Sequence, residues 1–163
     1  MRICVTRNRE VLDLVESFTD SHAQTSWTRP AVASIFTGLL PQQHGTVDKK
    51  DVMPESATTI AELLTGAGYE SAAIVSNGNV SQVYGFSQGF SYYKYLQEIE
   101  ISEQVVRSDD VNQAMFSWLD EFRGTEPFFL YVHTVDPHLP YAPLWFLISG
   151  RGGVLCSTLS TRR

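Results

Sequence analysis

The sequence is short of cysteine, of basic residues and of long apolar runs. Two cysteines, Cys4 and Cys156, occur among 163 residues, and a pair placed near opposite ends matches neither a zinc-binding spacing nor a disulfide framework. Twelve Lys and Arg against 18 Asp and Glu give a formal net charge of −6, and the basic residues are scattered, which argues against nucleic acid as a partner. No apolar run approaches the roughly 18 residues of a membrane-spanning helix or forms a signal-peptide core at the start. Localisation stays open.

What the sequence does contain is the composition of one folded domain. Apolar residues make up 43% and charged residues 18% of the chain, which is ordinary for a globular protein and far from the signature of disorder. A chain of this length can bury about 70% of its unfolded surface. We therefore expect a single domain with a hydrophobic core.

Helices and strands are predicted to alternate along the chain. Helical periodicity indicates helices at 9–18, after Pro30, at 59–68 and at 108–124, and continuous apolar runs indicate strands at 71–77 and 127–134. Twice a helix leads into an apolar run that is typical of a strand buried on both faces of a parallel sheet. We expect an α/β fold with helices packed on a mainly parallel sheet and with chemistry in the loops at strand ends.

Three helical stripes are predicted to face the core, because their apolar residues recur at spacings of three and four. They consist of Val32, Ile35, Phe36 and Leu39; of Ile60, Leu63, Leu64 and Ala67; and of Val111, Ala114, Met115, Trp118, Leu119 and Phe122. Thr59 and Glu62 have the spacing of a capping box, and Gly38 is a plausible helix terminator.

Thr28 is the first candidate for chemistry. It stands two residues before Pro30, which suits the first turn of a helix. Backbone N–H groups at a helix start are unpaired and favour an anion, so a hydroxyl there could attack phosphorus or sulfur while those groups absorb charge. The simpler interpretation is that Thr28 or Ser26 only caps the helix, and spacing alone favours capping.

The segment "HTVDPHLPY" is the second candidate. It places His133, Asp136 and His138 directly after a predicted buried strand. An imidazole there can bind an oxyanion when protonated, act as a general acid or ligate a metal, whereas a surface turn with local hydrogen bonds explains the segment equally well. His44, before Gly45, is predicted to be structural, and the aromatic segment "FSYYKYL" is predicted to pack in the core or at a sheet edge.

Three segments together resemble the sulfatase family of the alkaline-phosphatase-like superfamily: "SWTRPAVASIFTGLLPQQHG", "TTIAELLTGAGYESAAIVSN" and "FFLYVHTVDPHLPY". In that family Cys or Ser, any residue, Pro, any residue, Arg and a later Thr-Gly pair carry the nucleophile at the start of a helix. Anchoring on Pro30 and Thr37, the resemblance places the nucleophile, which also contacts the metal, at Thr28. It implies that His138 contacts the oxyanion or leaving group of the ester, with His133 a weaker candidate.

The chain departs from the sulfatase pattern at two positions of the nucleophile motif. Sulfatases proper convert Cys or Ser to formylglycine, for which Thr28 is not a substrate, and Val32 replaces the usual Arg. A threonine nucleophile is similar to the phosphodiesterase and phosphoethanolamine-transferase branches of the superfamily. The hypotheses are therefore a sulfuric ester hydrolase, a phosphoryl enzyme that uses Thr28 directly, and a non-catalytic degenerate relative. A small-molecule or glycan sulfate or phosphate ester is the expected substrate.

The resemblance also implies a divalent cation, Ca²⁺, Mg²⁺, Mn²⁺ or Zn²⁺. The family holds it with an acidic pair on the first strand and with a later Asp and Asn or His, and neither is recognisable in this sequence. The likeness ends after "PYAP". We expect residues 1–143 to be a partial catalytic domain, residues 144–163 to be a divergent tail of the kind that a frameshift produces, and the chain alone to hydrolyse little or no ester.

Overall fold

The computed structural model describes residues 20, 22–96 and 106–135. The chain divides into two compact units, and one of them, Ala23–Thr134, contains the helices and strands of the described residues. The helices are α1 (Thr28–Thr37), α2 (Pro41–His44), α3 (Ile60–Gly66) and α4 (Ser108–Glu121); the strands are β1 (Glu70–Val75), β2 (Tyr92–Tyr95) and β3 (Phe128–His133); and short 3₁₀ turns span Gly78–Val80 and Gln82–Tyr84. The helix predicted at 9–18 and the tail at 144–163 lie outside the described residues. None of the described helices is long and apolar enough to cross a membrane.

The three strands form a parallel sheet in the order β2-β1-β3. Ala73 of β1 lies opposite Tyr93 of β2 and Tyr131 of β3. Because all three strands run the same way, their carboxyl ends meet at one edge of the sheet, where α/β folds carry their chemistry. The predicted architecture of helices on a parallel sheet is confirmed. Strand β2 was not predicted as a strand, although its aromatic segment does lie at an edge.

Helices cover both faces of the central strand. On one face Val75 packs with Val32 and Phe36 of α1 and with Val80. On the other face Ile74 belongs to the cluster of α4 side chains that the sequence predicted, with Val111, Ala114 and Trp118 buried and with Met115, Leu119 and Phe122 packed around them. Residues 72–75 are each 0% exposed, so β1 is the buried strand that its apolar run predicted.

Three predictions about burial, those for β3, α1 and α3, are wrong in whole or in part. Strand β3 was expected to be buried on both faces, yet in the described part of the chain it pairs with β1 alone, and Phe128 and Val132 remain 45% and 37% exposed. The stripe on α1 also differs, because Ile35 is 57% exposed while Ala33 is buried. Arg29 and Pro30 are buried as well, which shows that the helix turns this side, and not Ile35, toward the sheet.

The stripe on α3 is wrong for a similar reason. Ala61 is the buried residue of this helix, whereas Leu63 and Ile60 are 64% and 39% exposed. The predicted capping box is confirmed: the Glu62 N–H donates to Thr59 Oγ1 at 3.1 Å, and the Thr59 N–H donates to Glu62 Oε2 at 2.7 Å. These bonds pair N–H groups that the first turn of a helix cannot satisfy.

Gly85→Ala is expected to destabilise the fold by about 2–3 kcal/mol, because Gly85 combines a positive φ with a close backbone approach. Its φ is +82°, and an added Cβ would lie 2.7 Å from the carbonyl oxygen of Met53. Gly66→Ala is the matched control, since an added Cβ there meets nothing within 4 Å, and alanine favours the helix by about 0.5–1 kcal/mol. Urea unfolding measures both variants, and equal effects would contradict this account.

Candidate active site

Three segments meet at the carboxyl edge of the sheet. They are the start of α1, the turn that follows β1 and the last residue of β3, His133. A hydrogen bond from Arg29 to Asn79 joins the start of α1 to the turn after β1, and a hydrogen bond between Asn77 and His133 joins that turn to β3. Residues that are distant in the sequence are therefore assembled into one polar site.

Thr28 is the first residue of α1 and is half-buried. The residue at the N-cap is Trp27, which is extended and provides no side-chain cap. Neither Thr28 nor Ser26 is thus the capping residue that the simpler interpretation required. Because Thr28 and Arg29 lie in the first helical turn, their N–H groups have no intrahelical carbonyl partner. The Thr28 hydroxyl consequently stands on the turn of α1 where an anion is favoured.

Arg29 fixes the start of α1 in place. Its side chain is buried, at 2% exposure. Its Nε donates to the carbonyl oxygen of Asn79 at 3.2 Å, and its Nη1 donates to the carbonyl oxygens of Lys49 and Asp51. The guanidinium carbon also lies 3.3 Å from the centroid of the Tyr84 ring. The Arg29 guanidinium is therefore occupied by groups of the protein. Its contacts hold the loop at 49–51 and the turn at Asn79 against the start of α1.

Asn77 connects the turn after β1 to the end of β3. Its Oδ1 accepts the N–H of Asn79 at 3.0 Å, and its Nδ2 lies 3.4 Å from Nε2 of His133. The carbonyl oxygen of His133 in turn accepts the N–H of Ser76 at 3.0 Å. The amide of Asn77 therefore spans β1 and β3 at the sheet edge.

His133 is a neutral ring at ordinary pH. Its Nδ1 lies 2.8 Å from the hydroxyl of Tyr131. Burial lowers the pKa of His133 from its ordinary value of 6.5 to about 4, and burial also raises the pKa of Tyr131. With a pKa of about 4, about one ring in a thousand is protonated at pH 7. Oxyanion binding or acid catalysis by a charged His133 is disfavoured accordingly, and hydrogen bonding by the neutral ring remains.

His44 has the structural role that the sequence predicted. It is 1% exposed, its Nδ1 accepts the N–H of Thr46 at 3.1 Å, and its Nε2 lies 3.1 Å from Oγ of Ser34. Because Nδ1 is the acceptor, the neutral ring carries its proton on Nε2 and donates it. Burial lowers the pKa of His44, a backbone hydrogen bond to Pro30 opposing the change. The ring joins α2 to α1.

The sequence predicted Thr28 and His133 as site residues and did not single out the residues whose hydrogen bonds link their two segments. Arg29, Asn77 and Tyr131 were not singled out, although Asn77 ends a predicted strand, which is a recognisable signal for a site residue. His138 and Asp136 lie outside the described residues, so their roles stay predictions.

A comparison with protein-family models decides the family. The sulfatase model matches residues 12–146, which is most of the chain. This chain belongs to the sulfatase family. A comparison with curated proteins found no match. The family predicted from the three sequence segments is confirmed.

A solved structure extends this result to the fold. The structure of BT4656 in complex with its substrate, D-glucosamine-2-N,6-O-disulfate, resembles this sulfatase-family chain with a TM-score of 0.65 and 22% sequence identity. The likeness covers 77% of this chain and 28% of the BT4656 chain, so the chain spans little more than a quarter of that protein. At this identity the likeness concerns the fold alone. This chain and BT4656 share helices packed on a parallel sheet, as in the alkaline-phosphatase-like fold.

Sulfatases generally use a divalent metal, and the described residues do not make a site for one. Across residues 20, 22–96 and 106–135, no group of three His, Cys, Asp or Glu side chains is placed to hold a metal ion. Thr28 by itself provides a single hydroxyl oxygen, whereas Ca²⁺ and Mg²⁺ need several oxygen ligands. The metal therefore stays an expectation from the family, and no reaction step is assigned to it.

Proposed function

We propose that this chain carries the nucleophile of a sulfatase-like hydrolase of sulfuric esters, and that the nucleophile is Thr28. The observation that carries the proposal is the position of Thr28 as the first residue of α1, next to an arginine that ties this turn to the carboxyl edge of the sheet. Family membership supports the reaction class. The helix start provides the N–H groups and the partial positive charge that a tetrahedral oxyanion requires.

In the proposed reaction, Oγ of Thr28 loses its proton and forms a bond to sulfur or phosphorus. The bond from that atom to the alcohol or phenol oxygen breaks, and the proton that Thr28 lost is delivered to this leaving oxygen. Water then forms a bond to the same sulfur or phosphorus atom, and the bond from that atom to the Thr28 oxygen breaks. A proton from the water restores the Thr28 hydroxyl, and the sulfate or phosphate group is released. His138 is proposed to contact the oxyanion or leaving group, and His133 is proposed to line the site as a neutral hydrogen-bonding group.

A specific observation favours phosphoryl transfer as the second candidate. Position 32, where the family pattern has Arg, holds Val32, which is 5% exposed and packs in the core with Phe36. This residue therefore offers no cation to the nucleophile. Together with an unmodified threonine hydroxyl at position 28, it favours a phosphodiesterase or a phosphoethanolamine-type transferase, which use the hydroxyl directly. The third candidate is a degenerate relative without turnover.

The substrate class is proposed from the same family likeness. The substrate of BT4656 is a sulfated glucosamine, which supports a glycan or small-molecule ester for this chain. A negatively charged ester also suits the uncapped start of α1. In this proposal the sulfur or phosphorus atom of the substrate lies next to Thr28.

Turnover of an aryl sulfate and of a bis-aryl phosphate tests the proposed function. Both esters are supplied to the chain and, where the gene that carries it encodes a longer protein, to that full-length product, with and without Ca²⁺, Mg²⁺, Mn²⁺ or Zn²⁺. We expect little or no turnover by the chain alone and hydrolysis of the sulfate ester by the full-length product. Preference for the phosphate diester would replace the first candidate with the second, and no turnover of either ester would leave the degenerate relative.

A further inference from the structure

The geometry at the sheet edge points to Asn77 as a positioning residue. We propose that Asn77 holds His133 in a single neutral tautomer, with the proton on Nδ1 and the lone pair on Nε2. Three hydrogen bonds carry this inference: one within the turn after β1, one between that turn and His133, and one within β3. A role of this tautomer in catalysis rests on the proposed function, whereas the existence of the tautomer does not depend on that function.

The orientation of the Asn77 amide is fixed by its hydrogen bond to Asn79. A backbone N–H can only donate, so the atom of Asn77 that faces the N–H of Asn79, at 3.0 Å, is the oxygen. The NH₂ group of Asn77 consequently faces His133, where Nδ2 lies 3.4 Å from Nε2. A flipped amide would set its NH₂ against the N–H of Asn79 and lose that bond.

The tautomer of His133 follows from this orientation. Because the Asn77 NH₂ group is a donor, Nε2 of His133 must be the acceptor. A neutral imidazole has one proton, which is then on Nδ1 and is donated to the Tyr131 hydroxyl at 2.8 Å. The opposite tautomer would place two N–H donors against each other at Nε2.

The surroundings of the ring agree with a neutral group. Among the described residues, the side chains that contact the His133 ring through hydrogen bonds are Tyr131 on β3 and Asn77 after β1, and neither is charged. Burial alone lowers the pKa of His133. The ring shares the face of β3 that carries Tyr131, since side chains alternate along a strand, and Tyr131 packs edge-on against Phe36 of α1, with 4.8 Å between the ring centroids.

Nitrogen NMR of the His133 ring tests the inference in the folded chain. The wild-type spectrum should show a protonated Nδ1 and an unprotonated Nε2 at pH 7. In Asn77→Asp, a carboxylate that accepts from Nε2 should move the proton to that atom and raise the pKa of His133 by about 1 to 3 pH units. Asn112→Asp, which adds the same charge at an exposed position on α4, should change neither property.

A wild-type spectrum with the proton on Nε2 would overturn the inference. This test needs no variant, so it holds even if Asn77→Asp does not fold. An unchanged tautomer in folded Asn77→Asp would also overturn it. Where the full-length product turns over an ester, Asn77→Ala should lower kcat by about tenfold with little change in KM, because the ring is misplaced and the substrate contacts are kept. A normal tautomer without any turnover would reject the proposed function and keep this inference.

Discussion

Thr28→Ala is expected to lower ester turnover by the full-length product by about a thousandfold or more, because the variant removes the oxygen that is proposed to attack the ester. Thr28→Ser should keep a measurable rate, since it retains the hydroxyl on the same turn of α1. Neither change removes a helix cap, because the N-cap residue is Trp27. The loss in Thr28→Ala should therefore appear in kcat and not in stability, and steady-state kinetics with circular dichroism separates the two.

The matched control for this prediction is Thr58→Ala. Thr58 is exposed and lies outside the proposed site, so its removal should leave turnover within about twofold of wild type. The assignment of Thr28 would be wrong if Thr28→Ala retained the wild-type rate, or if Thr58→Ala lost as much activity as Thr28→Ala did.

Arg29→Met should destabilise the fold by about 3 kcal/mol, the second large effect. Methionine fills much of the same volume but leaves the carbonyl oxygens of Lys49, Asp51 and Asn79 without the charged donor that now binds them. The stacking of the guanidinium on Tyr84 is lost as well. For a chain of this length the change corresponds to a Tm lower by about 6–12 °C.

Arg123→Met provides the comparison for the Arg29 variant. Arg123 is exposed, and within the described part of the chain its guanidinium makes one long bond, of 3.5 Å, to the carbonyl oxygen of Phe122. We expect its loss to change stability by less than about 0.5 kcal/mol. Thermal melts of the two variants should differ clearly, and equal melting temperatures would show that Arg29 does not organise the loops around α1.

The parts of the fold that were predicted are those with long, consistent patterns. Helix α4 presents its stripe as the spacing indicated, and β1 is buried along its whole apolar run. Strand β2 has four residues, rich in tyrosine, and such a run carries no period long enough to distinguish a strand from packed aromatics. The exposure of Ile35 and Leu63 depends on how α1 and α3 rotate toward the sheet, which spacing along one helix does not determine.

The candidate site was predicted only in part, for a related reason. Thr28 was predicted because the pattern that points to it is local in sequence, and its role as the nucleophile stays a prediction. The bond from Arg29 to Asn79 spans 50 residues, and that from Asn77 to His133 spans 56. Contacts of this kind exist only once parallel strands bring their ends together, so no local pattern encodes them.

The most direct test of the central claim is to trap the ester on Thr28. The full-length product is mixed with an aryl sulfate or a bis-aryl phosphate, quenched in acid during turnover and digested, and the peptide that contains residue 28 is sequenced by mass spectrometry. The account predicts a sulfuryl or phosphoryl group on Oγ of Thr28, absent from the Thr28→Ala protein. Turnover with the group on another side chain, or in Thr28→Ala, would contradict it.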